Sequence, residues 1–232
     1  MEGHTSFWYM EEVNLFEHFC PIQNGQEKYD RHGKRSYKKG EFIYVSDDLS
    51  DKVFFIHQGA VKIAAYTEDG NENIKAILTA GEVFGELAVF GEERRVDYAQ
   101  AMENTQICLL ARDEVKGLMK EVSGFMGFLN KMMGRRVIFS QKRIESLLFK
   151  DARTRIAEYV LEQAEKSRAR PNQPLTLRNY LTHQEIASYT GTSRQTVTTI
   201  MNQLRESGLI DFNRKTITVN DMGALKAEVA RV

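Results

Sequence analysis

The segment that most constrains the fold of this chain is residues 181–210, LTHQEIASYTGTSRQTVTTIMNQLRESGLI. Thr182 is a preferred N-cap residue, and Glu185 follows it at the spacing of a capping box. Ser193 caps a second helix, and Gly191 between the two helices can adopt the positive φ of a sharp turn. The segment therefore predicts a helix-turn-helix.

The second predicted helix has an apolar face and a polar face. The apolar residues that recur at helical spacing are Val197, Ile200, Met201 and Leu204. Arginine can donate two hydrogen bonds to guanine, and glutamine or asparagine can pair with adenine, so the polar face suits the major groove of double-stranded DNA. Beyond this helix, residues 209–219 predict a β-hairpin, or wing, with a basic tip near the DNA backbone. The residues that we expect to face DNA are Thr182, His183, Ser193, Arg194, Gln195, Thr198, Thr199, Asn202, Arg214 and Lys215.

Residues 40–110 predict a β-rich domain. Short apolar runs lie at 42–45, 52–56, 60–66, 74–78 and 106–110, and Asp69–Gly70 is typical of a hairpin turn. Such spacing indicates an antiparallel barrel or sandwich. We expect an N-terminal antiparallel β-barrel of the cyclic-nucleotide-binding-like jelly-roll kind over residues 1–111, with short helices within 8–35.

Residues 112–167 lack proline and carry apolar side chains at helical spacing. We assign residues 112–149 to a long central helix, with a break at Lys150–Asp151 and a second helix after it. Pro171 and Pro174 predict a loop. The apolar stripe must be buried, either in a two-fold homodimer, which we favour, or against its own domain. Residues 150–232 complete an α+β fold as a winged helix-turn-helix domain.

Composition excludes several classes of protein. No window approaches ~18 consecutive apolar residues, so we expect no membrane span. The N-terminal residues show no secretory signal, and Cys20 and Cys108 are too few for a disulfide framework, which favours the cytoplasm. Net charge is zero, but residues 149–232 carry 13 basic and 9 acidic residues. This excess of positive charge suits a DNA-binding region.

Two other functions compete with DNA binding. A barrel enzyme of the cupin kind needs clustered histidine and glutamate ligands, but the strand region holds one histidine, His57. We therefore expect neither catalysis nor a bound metal. A cyclic-nucleotide-binding regulatory module that acts on a protein partner would explain the barrel and the long helix, but not the capped helices of residues 182–204.

The chain resembles the cyclic AMP receptor protein/FNR family of bacterial transcription regulators from about Leu15 to Val219. The matching segments are YKKGEFIY, VFFIHQGAVKI, GEVFGELAVF, RTRIA and TGTSRQTVTTIMNQLRESGLI. The resemblance implies a homodimer on a palindromic operator, control by a signal at the barrel, and RNA polymerase as a partner. It also implies that Arg194 contacts guanine. Gln195 stands where the family often has glutamate, and Thr199 where it often has arginine, so we expect a different operator.

The resemblance also implies an effector pocket. Its predicted residues are Gly85, Glu86, Leu87, Arg95 (or Arg94), Ser140 and Gln141. The family's Ser or Thr after the arginine is absent, because Val96 and Asp97 follow. A carboxylate ~5 Å from a phosphate costs about 3 kcal/mol at an effective dielectric constant of ~20. We therefore expect another small-molecule effector, or none, rather than cyclic AMP. The alternative role for Glu86 and Arg95 is a structural ion pair.

Two metal-based sensing modes also fit the sequence poorly. An iron–sulfur cluster needs about four thiolates, and the chain has two cysteines. Haem would need an axial histidine, and we do not favour it, because lone histidines are more often ordinary surface or core residues. The candidates are His4, His18, His32 and His57.

Overall fold

The chain folds into two units, residues 1–136 and 137–232. The structure is a computed structural model, and it describes residues 9–10, 13–14, 34–122, 124–166 and 174–230.

Two four-stranded antiparallel sheets form the N-terminal unit. One has the order β3 (Lys34–Tyr37), β10 (Thr105–Ala111), β5 (Lys52–Gln58) and β8 (Val83–Phe84). The other has the order β4 (Phe42–Tyr44), β9 (Tyr98–Ala101), β6 (Ala60–Tyr66) and β7 (Glu72–Thr79). The predicted jelly roll is confirmed, as a sandwich whose described strands form two sheets rather than one closed ring.

The short helices expected within residues 8–35 lie mostly outside the described residues. Where the structure describes this region, β1 (Tyr9–Met10) pairs with β2 (Val13–Asn14). The helix prediction is wrong there, because these backbone groups pair between strands.

Strand β5 is buried on both sides. Phe54 and Ile56 belong to the core between the sheets. Val53 and Phe55 point the other way and pack under helix α1 (Arg112–Glu121), the start of helix α2 (Phe125–Phe149), and a 3-10 helix at Glu86–Phe90. This two-sided burial explains why the strand is a continuous apolar run rather than an alternating one.

The central helical segment is not one helix. It breaks between α1 and α2, where Gly124 has a φ of 91° that a helix cannot accommodate. The first turns of α2 bury Phe125, Phe128, Leu129 and Met132 in the core of their own unit. From Val137 to Phe149 most apolar side chains are exposed. Packing on its own domain thus accounts for the first half of α2, and the dimer stays a prediction for the second half.

The C-terminal unit begins with the end of α2. Its elements are α3 (Ala152–Lys166), β11 (Leu175–Arg178), α4 (His183–Thr190), α5 (Arg194–Glu206), β12 (Ile210–Phe212), β13 (Thr216–Val219) and α6 (Met222–Val229). The predicted break at Lys150–Asp151 is confirmed, and Asp151 Oδ1 accepts a hydrogen bond from Thr154 N at 2.7 Å. The loop predicted at Pro171 and Pro174 lies partly outside the described residues; it does not continue past Pro174, because Leu177 is buried and pairs with Ile217 in β13.

Replacing Gly59 tests the close packing of the turn between β5 and β6 against Thr105 at the start of β10. Gly59 has a φ of 98°, and an added Cβ would lie 2.5 Å from Thr105 Oγ1 and 2.7 Å from Thr105 Cα. Gly70 has a φ of 76° and open space around it. Both alanine variants carry left-handed strain of about 1–2 kcal/mol, but only Gly59→Ala adds a clash, worth about 1–3 kcal/mol. We expect Gly59→Ala to lower the free energy of urea unfolding by about 2 kcal/mol more than Gly70→Ala. Equal losses would contradict this packing.

Candidate nucleic-acid interface and sensor site

The ends of the helix-turn-helix are capped as the sequence predicts. Thr182 Oγ1 accepts from Glu185 N at 3.3 Å, and Glu185 Oε2 accepts from Thr182 N at 2.9 Å. Ser193 Oγ accepts from Thr196 N at 3.0 Å. Gly191 ends α4 with a φ of 63°. Since these contacts are local, the motif could be located from sequence alone.

Helix α5 presents the predicted polar face. Its buried residues are Val197, Ile200, Met201 and Leu204, and its exposed residues include Arg194, Gln195, Thr198 and Thr199. Asn202 is only half-exposed, and its Oδ1 accepts from Arg205 Nη2 at 2.9 Å. Arg205 also lies over the Phe212 ring, 5.2 Å from its centroid. Sequence reasoning missed Arg205, although its i, i+3 spacing from Asn202 could have indicated the pair.

His183 joins the two helices rather than standing free on the surface. Its Nδ1 lies 3.0 Å from Thr198 Oγ1, and its ring packs against Phe212 with centroids 5.7 Å apart. Burial, and then the charge of Arg194, lower the pKa of His183 below its usual value. The side chain is therefore neutral at physiological pH and helps to hold α5 against α4.

The wing forms as predicted, with an additional strand. Asn213 Oδ1 accepts from Lys215 N at 2.7 Å and from Thr216 N at 3.0 Å, which closes the turn. Arg214 and Lys215 are exposed at its tip. The sheet has the order β11-β13-β12. The basic tip thus lies at the end of a three-stranded sheet rather than of an isolated hairpin.

The two charged residues of the predicted effector site are buried, and they do not pair with each other. Glu86 forms an ion pair with Arg136 of α2, and Arg136 Nη2 also donates to Val83 O at 2.5 Å. Arg95 pairs with Glu92, with 3.1 Å between Nη1 and Oε2. The alternative of an ion pair between Glu86 and Arg95 is therefore wrong, because each charge pairs with a different residue of opposite sign.

Both Nη groups of Arg95 donate to protein acceptors, whereas its Nε is buried without one. Its Nη1 also donates to Gly85 O at 3.1 Å, and its Nη2 donates to Lys52 O at 2.5 Å. The guanidinium lies over the Tyr44 ring, 4.6 Å from its centroid. Burial, and then the Asp97 carboxylate, raise the pKa of Tyr44 above its usual value.

The remaining predicted effector residues are divided between the two units. Leu87 is exposed, and Gly85 has a φ of 74° where an added Cβ would meet Phe54 at 2.9 Å. Ser140 and Gln141 are exposed on α2 in the C-terminal unit. Asp97 pairs with Lys75 at 2.9 Å, so its repulsion of an anion is weaker than the sequence suggested.

An open cleft of about 580 Å³ lies beside Arg95. Its lining combines aromatic and apolar side chains with both signs of charge, including Arg35, Tyr37, Ile43, Asp48, Arg94 and Leu109. None of the predicted residues Gly85, Glu86 and Leu87 lines it. Sequence reasoning missed this cleft because its walls come from strands far apart in the chain.

The described residues contain neither a metal-binding cluster nor a membrane-spanning helix. Within the described ranges, no group of three or more histidine, cysteine, aspartate or glutamate side chains could hold a metal ion. In the same part of the chain, no helix combines the length and the apolar character needed to cross a bilayer.

Comparison with known families matches both units. Residues 34–122 match the cyclic nucleotide-binding domain, and residues 154–228 match the Crp-like helix-turn-helix domain. A jelly-roll sensor domain followed by a winged helix-turn-helix defines a DNA-binding transcription regulator. The chain belongs to the cyclic AMP receptor protein/FNR family of these regulators.

Individual relatives cover most of the chain. A "Cyclic AMP receptor protein" from Thermus thermophilus is 28% identical over 197 residues, which are 85% of this chain and 88% of the relative. A solved structure of a CooA mutant from Carboxydothermus hydrogenoformans is 27% identical, with a TM-score of 0.73 over 95% of this chain and 97% of that one. FixK2 from Bradyrhizobium japonicum, at 23% identity, shares the fold with a TM-score of 0.77 over 87% and 98% of the two chains.

Removing Arg136 tests the buried ion pair. Burial raises the pKa of Glu86 above its usual value, and Arg136 opposes that rise. Arg136→Ala should lower the free energy of unfolding at pH 7 by about 1–3 kcal/mol, because a buried carboxylate loses its partner. A raised folded-state pKa means that the folded protein holds the proton more tightly, so the loss should shrink as pH falls toward 4.

Urea titrations at several pH values measure this effect. Lys131→Ala, an exposed change on the same helix, should have little effect at any pH. In a Glu86→Gln background Arg136→Ala should cost less, because no buried charge is left behind. A pH-independent loss of equal size in both backgrounds would contradict the pair.

Proposed function

We propose that the chain acts as a homodimer that binds a palindromic operator, under the control of a signal at the jelly roll. The observation that carries this proposal is the capped helix pair with Arg194 and Gln195 exposed at the start of α5. Residues at this position enter the major groove first in helix-turn-helix proteins. Relatives that match this chain include proteins described as cAMP-activated global transcriptional regulators, and we propose no catalytic activity.

The second half of α2 supports the dimer. Val137, Ile144 and Leu148 are 54%, 56% and 70% exposed, and their spacing of seven and four residues puts them on one side of the helix. An exposed apolar stripe is costly for a lone chain, and a two-fold axis buries it against its own copy. Two reading helices related by that axis would enter successive major grooves about 34 Å apart.

Of the residues predicted to face DNA, Arg194 is the one that we most expect to contact a base. It is exposed at the first position of α5 and can donate two hydrogen bonds to a guanine edge. Gln195 beside it can pair with adenine, whereas a glutamate there would accept from cytosine. Arg214 and Lys215 at the wing tip are placed to neutralise phosphates, which adds affinity without sequence preference.

Removing Arg194 tests the reading helix. The wild-type protein should select a two-fold motif from a random duplex library. Arg194→Ala should weaken binding to that motif by about 1–3 kcal/mol, which is about 5- to 150-fold in Kd, and should relax one base position in each half-site. Fluorescence anisotropy at fixed salt gives the affinities. Lys226→Ala, which removes an exposed cation on α6, should bind as the wild type does.

Two outcomes would count against this proposal. If Arg194→Ala keeps the affinity and selectivity of the wild type, Arg194 is not part of the DNA interface. Failure of the wild type to enrich any two-fold motif would remove the symmetric dimer and favour a module that acts on a protein partner.

We propose that the signal is not a cyclic nucleotide. Nη1 and Nη2 of Arg95 donate to Gly85 O, Glu92 and Lys52 O, so a phosphate bound at these two nitrogens would have to displace these acceptors, and only the buried Nε has no hydrogen-bond partner. Oε1 of Glu86, the residue that would hold the ribose, already pairs with Arg136, and Oε2 is buried without a hydrogen-bond partner. The cleft beside Arg95, with aromatic walls and both signs of charge, favours a small amphoteric effector instead.

Calorimetric titration tests this exclusion. Cyclic AMP and cyclic GMP should each give no saturable heat at micromolar concentration, because binding must break a buried ion pair. As a positive control, the same protein preparation is titrated with operator DNA, and this titration should give a saturable isotherm. Micromolar binding of either nucleotide would contradict the proposal.

We further propose RNA polymerase as a partner of the chain and the cytoplasm as its location. A regulator that binds an operator acts where the chromosome and the polymerase are. Membership of the family supports both assignments, and the two cysteines suit a reducing compartment.

A further inference from the structure

The last turns of α2 pack against the helix-turn-helix itself. Arg143 Nη2 donates to Tyr189 O at 2.7 Å, and its guanidinium lies over the Tyr189 ring, 4.3 Å from the centroid. Residues 137–149 of α2 belong to the same unit as the helix-turn-helix. The central helix is therefore joined to the DNA-reading motif by specific contacts as well as by the chain.

Two further contacts strengthen this connection. Arg155 of α3 donates to Leu147 O and to Gly191 O, both at 3.3 Å, and so bridges the end of α2 and the turn of the motif. A Cβ added to Gly191 would lie 2.8 Å from Leu147 Cδ2. The turn glycine thus serves close packing by α2 in addition to its positive φ.

The position of Arg143 is electrostatically favourable. The last carbonyls of a helix have no partner within that helix and carry partial negative charge, so an arginine that donates to them is stabilising. Tyr189 is buried, and its hydroxyl donates to Glu162 Oε2 at 2.7 Å. Arg143 therefore contacts a buried residue that is itself held in place by a hydrogen bond.

The contact between Arg143 and Tyr189 lies only a few residues along the chain from the DNA-reading residues. Tyr189 is in the last turn of α4, and only residues 191–193 separate α4 from α5. Since Arg194 begins α5, the orientation of α4 relative to α2 sets the orientation of the reading helix. Holding the end of α4 against α2 thereby holds Arg194 relative to α2.

We propose that Arg143 is a positioning residue that fixes the reading helix relative to the dimer helix, and so sets the spacing between half-sites that the protein accepts. This inference rests on the proposed function, because half-site spacing has meaning only for a symmetric dimer. Arg143 touches no base in this role. It acts through Tyr189 and the turn at Gly191.

The test measures tolerance of spacing rather than affinity alone. Three operators are built from the selected half-site: one keeps the separation found in the selected motif, one has a base pair removed at the centre, and one has a base pair added there. The wild type should discriminate strongly against both altered separations. Arg143→Ala should bind the natural operator about tenfold more weakly, and its preference over the altered operators should fall by a similar factor. A residue that only stabilises the domain would lower affinity for all three operators alike.

Matched variants separate charge from geometry. Lys142→Ala removes the neighbouring exposed cation on the same helix and should keep the wild-type spacing preference. Arg143→Lys keeps the charge and one donor but loses the planar stacking on Tyr189, so it should fall between Arg143→Ala and the wild type. It also serves as the test variant if Arg143→Ala does not fold, as judged by circular dichroism and sedimentation.

The outcomes are distinguishable. A wild type that selects a two-fold site and discriminates spacing, beside folded Arg143 variants with the same preference ratios, would overturn the inference alone. Equal loss on all three operators would do the same. A wild type that selects no two-fold site would overturn the proposed function, and this inference with it.

Discussion

The need to satisfy the ends of helices organises the DNA-reading unit. Side-chain oxygens of Thr182 and Ser193 accept the free N–H groups at the starts of α4 and α5. At the other end of α4, Arg143 and Arg155 donate to the carbonyls of Tyr189 and Gly191. A backbone group that is shielded from water and left unpaired costs about 1–3 kcal/mol. The helix-turn-helix is therefore held by hydrogen bonds at every junction, and this gives its exposed face a defined direction.

A similar principle governs the sensor, with charges in place of backbone groups. Glu86 and Arg95 are 2% and 3% exposed, and burying either without a partner would be unfavourable. Each of these charges has a partner within the protein: Glu86 pairs with Arg136 on α2, and Arg95 pairs with Glu92. The pair formed by Glu86 links the 3-10 helix of the jelly roll to the central helix.

Local features were predictable, and features that depend on distant partners were not. The capping box, the turn glycine, the apolar face of α5 and the break at Lys150–Asp151 lie within a few residues of their causes, and the structure confirms them. The pairing of Glu86 with Arg136 spans 50 residues, and strand β11 needs β13, some 40 residues away. Neither has a sequence signature. Gly124 was visible in the sequence, but glycine alone does not show that the helix breaks there.

The sequence by itself determined the order of the parts: a β-rich sensor, a helical connection, and a capped helix pair with a basic wing. Periodicity and caps encode these parts because they are short-range consequences of backbone geometry. Only the tertiary structure decided which half of α2 is buried, where Glu86 and Arg95 find their counter-charges, and that Arg143 and Leu147 meet the turn at Gly191. Those outcomes depend on which surfaces come together in space, and no local spacing of residues specifies that.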